Sequence, residues 1–227
     1  MISKALRDTV DQAENALQQR IATLLDLQGK FEIDQYARFL TMQYYLTEDV
    51  QQEFYTAAGV YAFHERKELR KFLVQFAEEE EPHYLIAKED LERLGRTVGE
   101  KPIDVYLWKT FFNSSVTTRP CIRIGATCVL ENIANKAAEQ ILQLVSQTPE
   151  LEKKNTRFLR IHMHGDALPH GDQILEAVDT NNFSLDETKD LELGARLAKK
   201  VYLQLVDWII TGEESPSSPF VNVGSGV

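Results

Sequence analysis

The sequence predicts a single all-α bundle of about seven helices, and three observations carry that expectation. Apolar residues recur at i, i+3, i+4 and i+7 along most of the 227-residue chain, which is the spacing of one buried helical face. Strand signals fail: period-two alternation is not sustained anywhere, and no Asn-Gly or Asp-Gly hairpin dipeptide occurs. Glycine, proline and capping residues fall where the periodic stretches end.

Taken in order, a first helix over 3–28 stops at Gly29. Asp34 caps a second, about 35–57, that closes near Gly59. A third runs from about 66 to 94 and ends at Gly95, a residue suited to the left-handed turn after a helix. Pro102 opens a shorter fourth reaching about Asn113, and a polar link leads to Pro120. The fifth covers about 121–147, Pro149 opens the sixth, and Ser184 or Asp186 caps the last, which ends near Gly212. No internal repeat or dividing linker is present. Residues 1–212 therefore read as one helical domain and 213–227 as a tail, a surface arm.

Charge and cysteine usage narrow the function classes. A formal net charge of -10 opposes nucleic acid or an anionic membrane as partner, because both require a basic footprint. No run of about 18 apolar residues suggests a membrane span. The N-terminus alternates charged with apolar residues, unlike a secretory signal, so the expected location is cytoplasmic. Cys121 and Cys128, if on one helix, stand roughly 10 Å apart, too far for a disulfide. Buried small hydrophobes are the expectation for both.

The chemistry concentrates in the stretch from Phe158 to His170, which holds three of the five histidines. On a helix, Phe158, His162, Asp166, His170 and Ile174 share one slowly drifting face that is apolar at both ends. Imidazoles and a carboxylate on such a face must be neutralised, hydrogen-bonded or coordinated. Other helices offer matching groups. Glu80 and His83 replace leucines on the stripe Leu69, Phe72, Phe76, Ala87, Leu91, with Glu79 a second choice for that side. An E-x-x-H pair on a core face is the element that carboxylate-bridged dimetal bundles use. Glu131 interrupts the small, apolar stripe of the fifth helix, and Glu48 shares a face with Leu40, Tyr44 and Tyr55.

Left unpaired, that many buried ionisable groups would cost several kcal/mol each. Glu48, Glu80, His83, Glu131, His162, Asp166 and His170 are thus the candidate metal ligands. Four carboxylates offset two divalent ions, oxygen-rich ligation with imidazole suits Fe(II) or Mn(II), and seven ligands exceed what one ion takes in a catalytic site. Glu131 and Tyr44 are the candidate catalytic residues. Arg123, two turns before Glu131, is either an anchor for a substrate carboxylate or a plain surface arginine.

Three segments resemble a known superfamily. Phe76-Ala-Glu-Glu-Glu-Glu-Pro-His83, continuing to Asp90-Leu-Glu-Arg-Leu-Gly95, is similar to the "EE-x-G-H … DL-x-x-LG" segment of the haem-oxygenase-like diiron oxidases. Gly125-Ala-Thr-Cys-Val-Leu-Glu131-Asn resembles their "GA-x-Y-V-L-E-G" helix, and Phe158-Leu-Arg-Ile-His162 with Asp166 their "FL-x-x-H-x-x-x-D-x-x-H" helix. The superfamily also holds the thiaminase II (TenA/THI-4), PqqC and CADD-type proteins. The resemblance implies a seven-helix haem-oxygenase-like fold, a centre of two Fe(II) ions, and O2-dependent oxidation of a small organic substrate with an external electron donor. A homodimer is expected on the same ground.

The sequence departs from the family twice. Its last histidine normally follows the aspartate by three residues; here Pro169 takes that place and the histidine is His170, with His164 a rival if the helix breaks at Gly165. Asn132 replaces a glycine and is expected to narrow the space above the metals. Haem is not expected, because residues 1–63 contain no histidine and His64 lies in a charged run. The alternative is a metal-free PqqC- or TenA-like enzyme or ligand-binding protein on the same fold. Thiaminase chemistry would need a cysteine nucleophile, for which Cys128 is the candidate.

Overall fold

A computed structural model describes residues 3–163 and 170–214, and the regular secondary structure among these residues is all helical. Helix α1 is Lys4–Gln28, capped by the Ser3 hydroxyl and closed by Gly29 in the left-handed conformation. Where one second helix was expected there are two, α2 (Ile33–Thr47) and α3 (Val50–Gly59), parted at Glu48–Asp49. Its capping box is built by Glu32 and Gln35 rather than by Asp34, which instead pairs with Arg96. The third expected helix is likewise divided, into α4 (Lys67–Glu80) and α5 (His83–Arg93). Pro82 supplies the reason: it has no N–H for the ladder and crowds the preceding turn.

Helices α6 (Ile103–Ser115), α7 (Pro120–Leu130) and α8 (Ala138–Ser146) follow, the last two separated by a short 3-10 turn at Asn135–Ala137. The central histidine stretch contributes α9 (Arg157–Met163) and α10 (His170–Thr180). His164, Asp166 and Pro169 lie outside the described residues, as does the tail from 215 onward. Helix α11, Leu185–Thr211, is the longest; Ser184 and Glu187 form its capping box, and Gly212 ends it.

Helix α11 organises the bundle. It runs parallel to α1, with Ser3 bonded to Glu192, Gln12 to Lys199 and Arg20 to Asp207. It runs antiparallel to α2, since the Gln35 amide donates to the Ile210 carbonyl while Gln43 donates to the Tyr202 hydroxyl. It is also antiparallel to α7, at a seam so close that a Cβ on Gly125 would lie 2.0 Å from the Leu191 carbonyl oxygen. Helix α5 packs on the far side of α2, where Tyr44 meets Tyr84 and Asp34 meets Arg96. Among the described residues, no helix is long and apolar enough to cross a membrane.

Candidate functional site

The break at Glu81–Pro82 places the site's first two residues. Glu80 ends α4 and His83 begins α5, and across the turn His83 Nδ1 donates to Glu80 Oε2 at 2.6 Å. Glu131 is the residue immediately after α7, its N–H still bonded to the Thr127 carbonyl. His170 is the first residue of α10. His162 sits in the last turn of α9, its ring 4.6 Å from that of His83.

These side chains form two groups that share one member. Glu80, His83 and His162 offer donor atoms lying within 4.8 Å of one another, and so do Glu80, Glu131 and His170. Glu80 is the common residue, and its side chain is only 5% exposed. Its Oε1 is buried and accepts no hydrogen bond of sound geometry, although His170 Nδ1 lies 3.2 Å away. His170 Nδ1 is also 3.5 Å from Glu131 Oε2, and its Nε2 reaches Glu79 at 2.7 Å.

Protonation follows from these contacts. Burial raises the pKa of Glu80, but the neighbouring His170 and the hydrogen bond from His83 outweigh it and hold the carboxyl down at about 2. The close carboxylates of Glu131 and Glu80 push His170 up to about 11. Burial raises Glu131, with His170 opposing. Burial lowers His162, and the neighbouring His83 adds to that. His162 Nδ1 lies 2.7 Å from the Phe158 carbonyl, an acceptor only, so Nδ1 carries the proton. Nε2 is left with its lone pair, the tautomer a metal ligand needs.

The donor set fits a pair of divalent ions. It combines three imidazoles with two carboxylates, and the shared carboxylate has one buried oxygen without a hydrogen bond. Two groups meeting at one carboxylate is the arrangement a bridged pair requires, and the ligand types suit iron or manganese.

A cavity of about 550 Å³ adjoins the two groups, and Glu80, His83, Glu131, His162 and His170 all line it. Its remaining wall is mostly aliphatic and aromatic, as small-molecule sites generally are. Polar residues interrupt that wall, among them Gln43, Thr47, Arg123, Thr127, Asn135 and Tyr202. Tyr202 accepts from the Gln43 amide at 3.2 Å, and burial pushes its hydroxyl up to about 12, so its proton stays available for donation. Sequence reading missed Gln43 and Tyr202, because a tyrosine on an apolar helix face carries no signal that separates site from core.

Other expected site residues lie elsewhere. Glu48 is in neither group and does not line the cavity; it accepts from the Tyr44 hydroxyl at 3.2 Å and faces Lys101 at 4.0 Å. The physical cause is the packing of α2: its face carrying Phe39, Gln43, Leu46 and Thr47 lines the cavity, and Glu48 lies on the neighbouring face with Tyr44. Tyr44 points with Glu48 and packs on Tyr45 and Tyr84, and Tyr55 is 40% exposed. Arg123 is no surface arginine. It is buried on the cavity wall, with Nε donating to Glu53 at 2.6 Å and Nη1 to Thr127 at 2.9 Å. Asn132 turns away from the cavity and donates to the Cys128 and Gly171 carbonyls, which pins the first turn of α10 beside His170. Both cysteines are buried, off the cavity wall, with thiols pushed up to about 12 by burial.

No protein-family model matches the chain, and no curated protein matches it in sequence. Solved structures do match in fold. One is a domain of unknown function with a haem oxygenase-like fold from Shewanella denitrificans OS217, 18% identical with a TM-score of 0.69, covering 87% of this chain and 92% of that one. Another is a TenA homolog from Pseudomonas syringae pv. tomato str. DC3000, 13% identical with a TM-score of 0.70, covering 90% of this chain and 91% of that one.

Proposed function

Starting from a haem oxygenase-like fold, we propose that this chain is a non-haem diiron enzyme, an O2-dependent oxidase or oxygenase acting on a small organic substrate. The observation that carries the reading is the position of Glu80 in both ligand groups, at the wall of a largely apolar cavity. Glu80, His83 and His162 would hold one ion, and Glu80, Glu131 and His170 the other. Bound Fe(II) supplies the electrons for reducing O2, replenished by an external donor. The protein's residues do the rest. The Phe158 carbonyl orients His162, the Glu80–His83 contact fixes both side chains, and the apolar wall keeps water from the reacting centre. Arg123 and Thr127 present polar groups to an anionic or hydrogen-bonding part of the substrate, and the Tyr202 hydroxyl has a proton to donate.

The test is an anaerobic Fe(II) titration followed by exposure to O2. Wild type is expected to take up two equivalents per chain and develop a near-UV or visible band with O2. Glu131→Ala should lose one equivalent and Glu80→Ala both. No uptake by the wild-type chain would overturn the assignment.

A second reading, a metal-free PqqC- or TenA-like protein, draws on a different observation. Glu79, Glu80 and Glu131 together surround His170, so the histidine has carboxylate partners without a metal. Protein from iron-supplemented cells that carries no stoichiometric metal would favour it. The buried, high-pKa thiols give a cysteine nucleophile no support under this reading.

A further inference from the structure

We propose that Asp90 is a positioning residue of the site: through the first turn of α9 it sets the His162 imidazole against His83. The proposal rests on the diiron reading for what the two imidazoles hold, and for that alone.

Helices α5 and α9 lie antiparallel and meet at two points. At one, the rings of His83 and His162 stand 4.6 Å apart. At the other, the Phe158 N–H donates to Asp90 Oδ2 at 2.8 Å, and the Arg157 N–H bonds the same carboxylate. His83 opens α5 and Asp90 follows two turns later on the same face, about 10 Å along the axis. Helix α9 is only Arg157–Met163, too short to be stable without tertiary contacts. Where its first turn is held therefore decides where His162 lies.

Asp90 does for α9 what a residue of the preceding loop ordinarily does. The first N–H groups of a helix lack acceptors within it, and the residue just before the helix usually supplies one. Here that residue is Thr156, and its hydroxyl is committed elsewhere, donating to the Glu152 carbonyl and accepting from Arg160 Nε, both at 2.9 Å. The cap comes instead from α5, 68 residues away in the chain. Asp90 is fully buried, and its Oδ1 has no hydrogen bond, with Arg93 Nη1 standing 3.6 Å off. Burying a carboxylate so incompletely partnered is costly. What it secures is a fixed point between two helices that each carry a candidate ligand.

The tie reaches His162 through one residue. Phe158 has its N–H held by Asp90, and its carbonyl lies 2.7 Å from His162 Nδ1. Its ring is centred 4.3 Å from that of His162 and 6.2 Å from that of His83. A shift of Phe158 moves both the acceptor that orients His162 and the surface on which that imidazole packs. Other links between α5 and this segment are exposed: Arg157 to Glu89 at 3.6 Å, and Arg93 to the Lys154 carbonyl at 3.0 Å. Solvent leaves such contacts little strength.

The experiment compares wild type, Asp90→Asn and Asp90→Ala in the full chain. A Glu131→Ala background retains, on the diiron reading, the ion at Glu80, His83 and His162, so anaerobic titration reads Fe(II) binding there. Asp90→Ala is expected to weaken that binding about tenfold or more. The same change in a His162→Ala background should leave the remaining equivalent unmoved. Asp90→Asn keeps an acceptor oxygen for the Phe158 N–H and should recover most of the affinity. Nitrogen NMR of the metal-free protein should show His162 protonated at Nδ1 in wild type and Asp90→Asn. In Asp90→Ala the proton should be shared between both ring nitrogens. Asp90→Ser, too short to reach the amide, takes its place if the alanine variant does not melt as a folded protein. Equal loss of both equivalents, unchanged affinity and tautomer in the folded variant, no recovery with asparagine, or a wild-type His162 protonated at Nε2 would overturn the proposal. A wild-type chain that takes up no Fe(II), with the His162 tautomer still dependent on position 90, would sink the diiron assignment and leave the positioning role standing.

Discussion

Arg123 occupies the cavity wall with much of its hydrogen-bonding capacity engaged. Glu53 and Thr127 take two of its nitrogens, and its guanidinium carbon lies 4.7 Å from the centre of the Phe54 ring. Lys109 Nζ stands 3.6 Å from the other Glu53 oxygen, so one buried carboxylate serves two cations. Removing one member of a buried pair strands its partner's charge. Arg123→Met is expected to cost about 3 kcal/mol in chemical denaturation, the lower end of the usual range because Lys109 still faces Glu53. Adding Glu53→Gln should recover part of that loss, giving a double-mutant coupling of about 1 kcal/mol or more. Strictly additive losses would show that the two residues do not act as a pair. Glu53 escaped sequence reading because nothing in Val50–Gly59 distinguishes a buried glutamate from a solvated one until α7 supplies its partner.

At the scale of elements, the start of α11 depends on one ion pair. Arg66 donates to both Glu187 oxygens, at 2.7 and 2.8 Å, while Glu187 also closes the capping box with Ser184. The Arg66 hydrogen bonds hold the Glu187 carboxyl down to about 2, from an ordinary value of 4.5. A depressed acid stabilises the fold above its unfolded pKa and ceases to do so as pH falls through its folded pKa. The stabilisation by Glu187 is therefore complete at pH 7, erodes below about 4.5 and is gone near 2. Glu187→Gln should melt lower than wild type at pH 7, by a difference of about 2 kcal/mol. That difference should close as pH is taken down toward 2; a gap that does not vary with pH would contradict the assignment. The capped start and glycine stop of α11 were legible in sequence, whereas its tie to Arg66 spans 121 residues and was not.

For the whole molecule, the approach of α7 to α11 sets how the cavity closes. Gly125 and Gly194 allow it: a Cβ on Gly194 would lie 1.9 Å from the Ile122 carbonyl oxygen, matching the 2.0 Å clash at Gly125. Neither clash involves a flexible side-chain tip, so the helices themselves must part. Alanine is the better helix former by about 1 kcal/mol, yet Gly125→Ala should destabilise by about 2 kcal/mol or more. On the proposed diiron reading it should also weaken Fe(II) uptake, because Glu131 follows α7. Gly59→Ala provides the contrast. Its Cβ would meet nothing within 4 Å, so thermal melting should show it neutral or stabilised by up to about 1 kcal/mol. A Gly125→Ala protein as stable as wild type would mean the seam is not under steric control.

Periodicity and punctuation alone determined the all-α class and the ends of α1 and α11, since each of these is set within a few turns of one helix; they also picked out Glu80, His83, Glu131 and His162, which line the cavity although Glu80 and His83 flank a helix break rather than share one helix. Glu48 and Tyr44 show where that reasoning stops. They share a stripe with Leu40, but the packing of α2 against α11 and α5 turns the neighbouring stripe, with Gln43 and Thr47, to the cavity instead. The convergence of two groups on Glu80 and the engagement of Arg123 by Glu53 were decided by tertiary structure. Each depends on which helices lie side by side and in what register, and that is fixed by contacts between residues far apart in the chain, which no local pattern encodes.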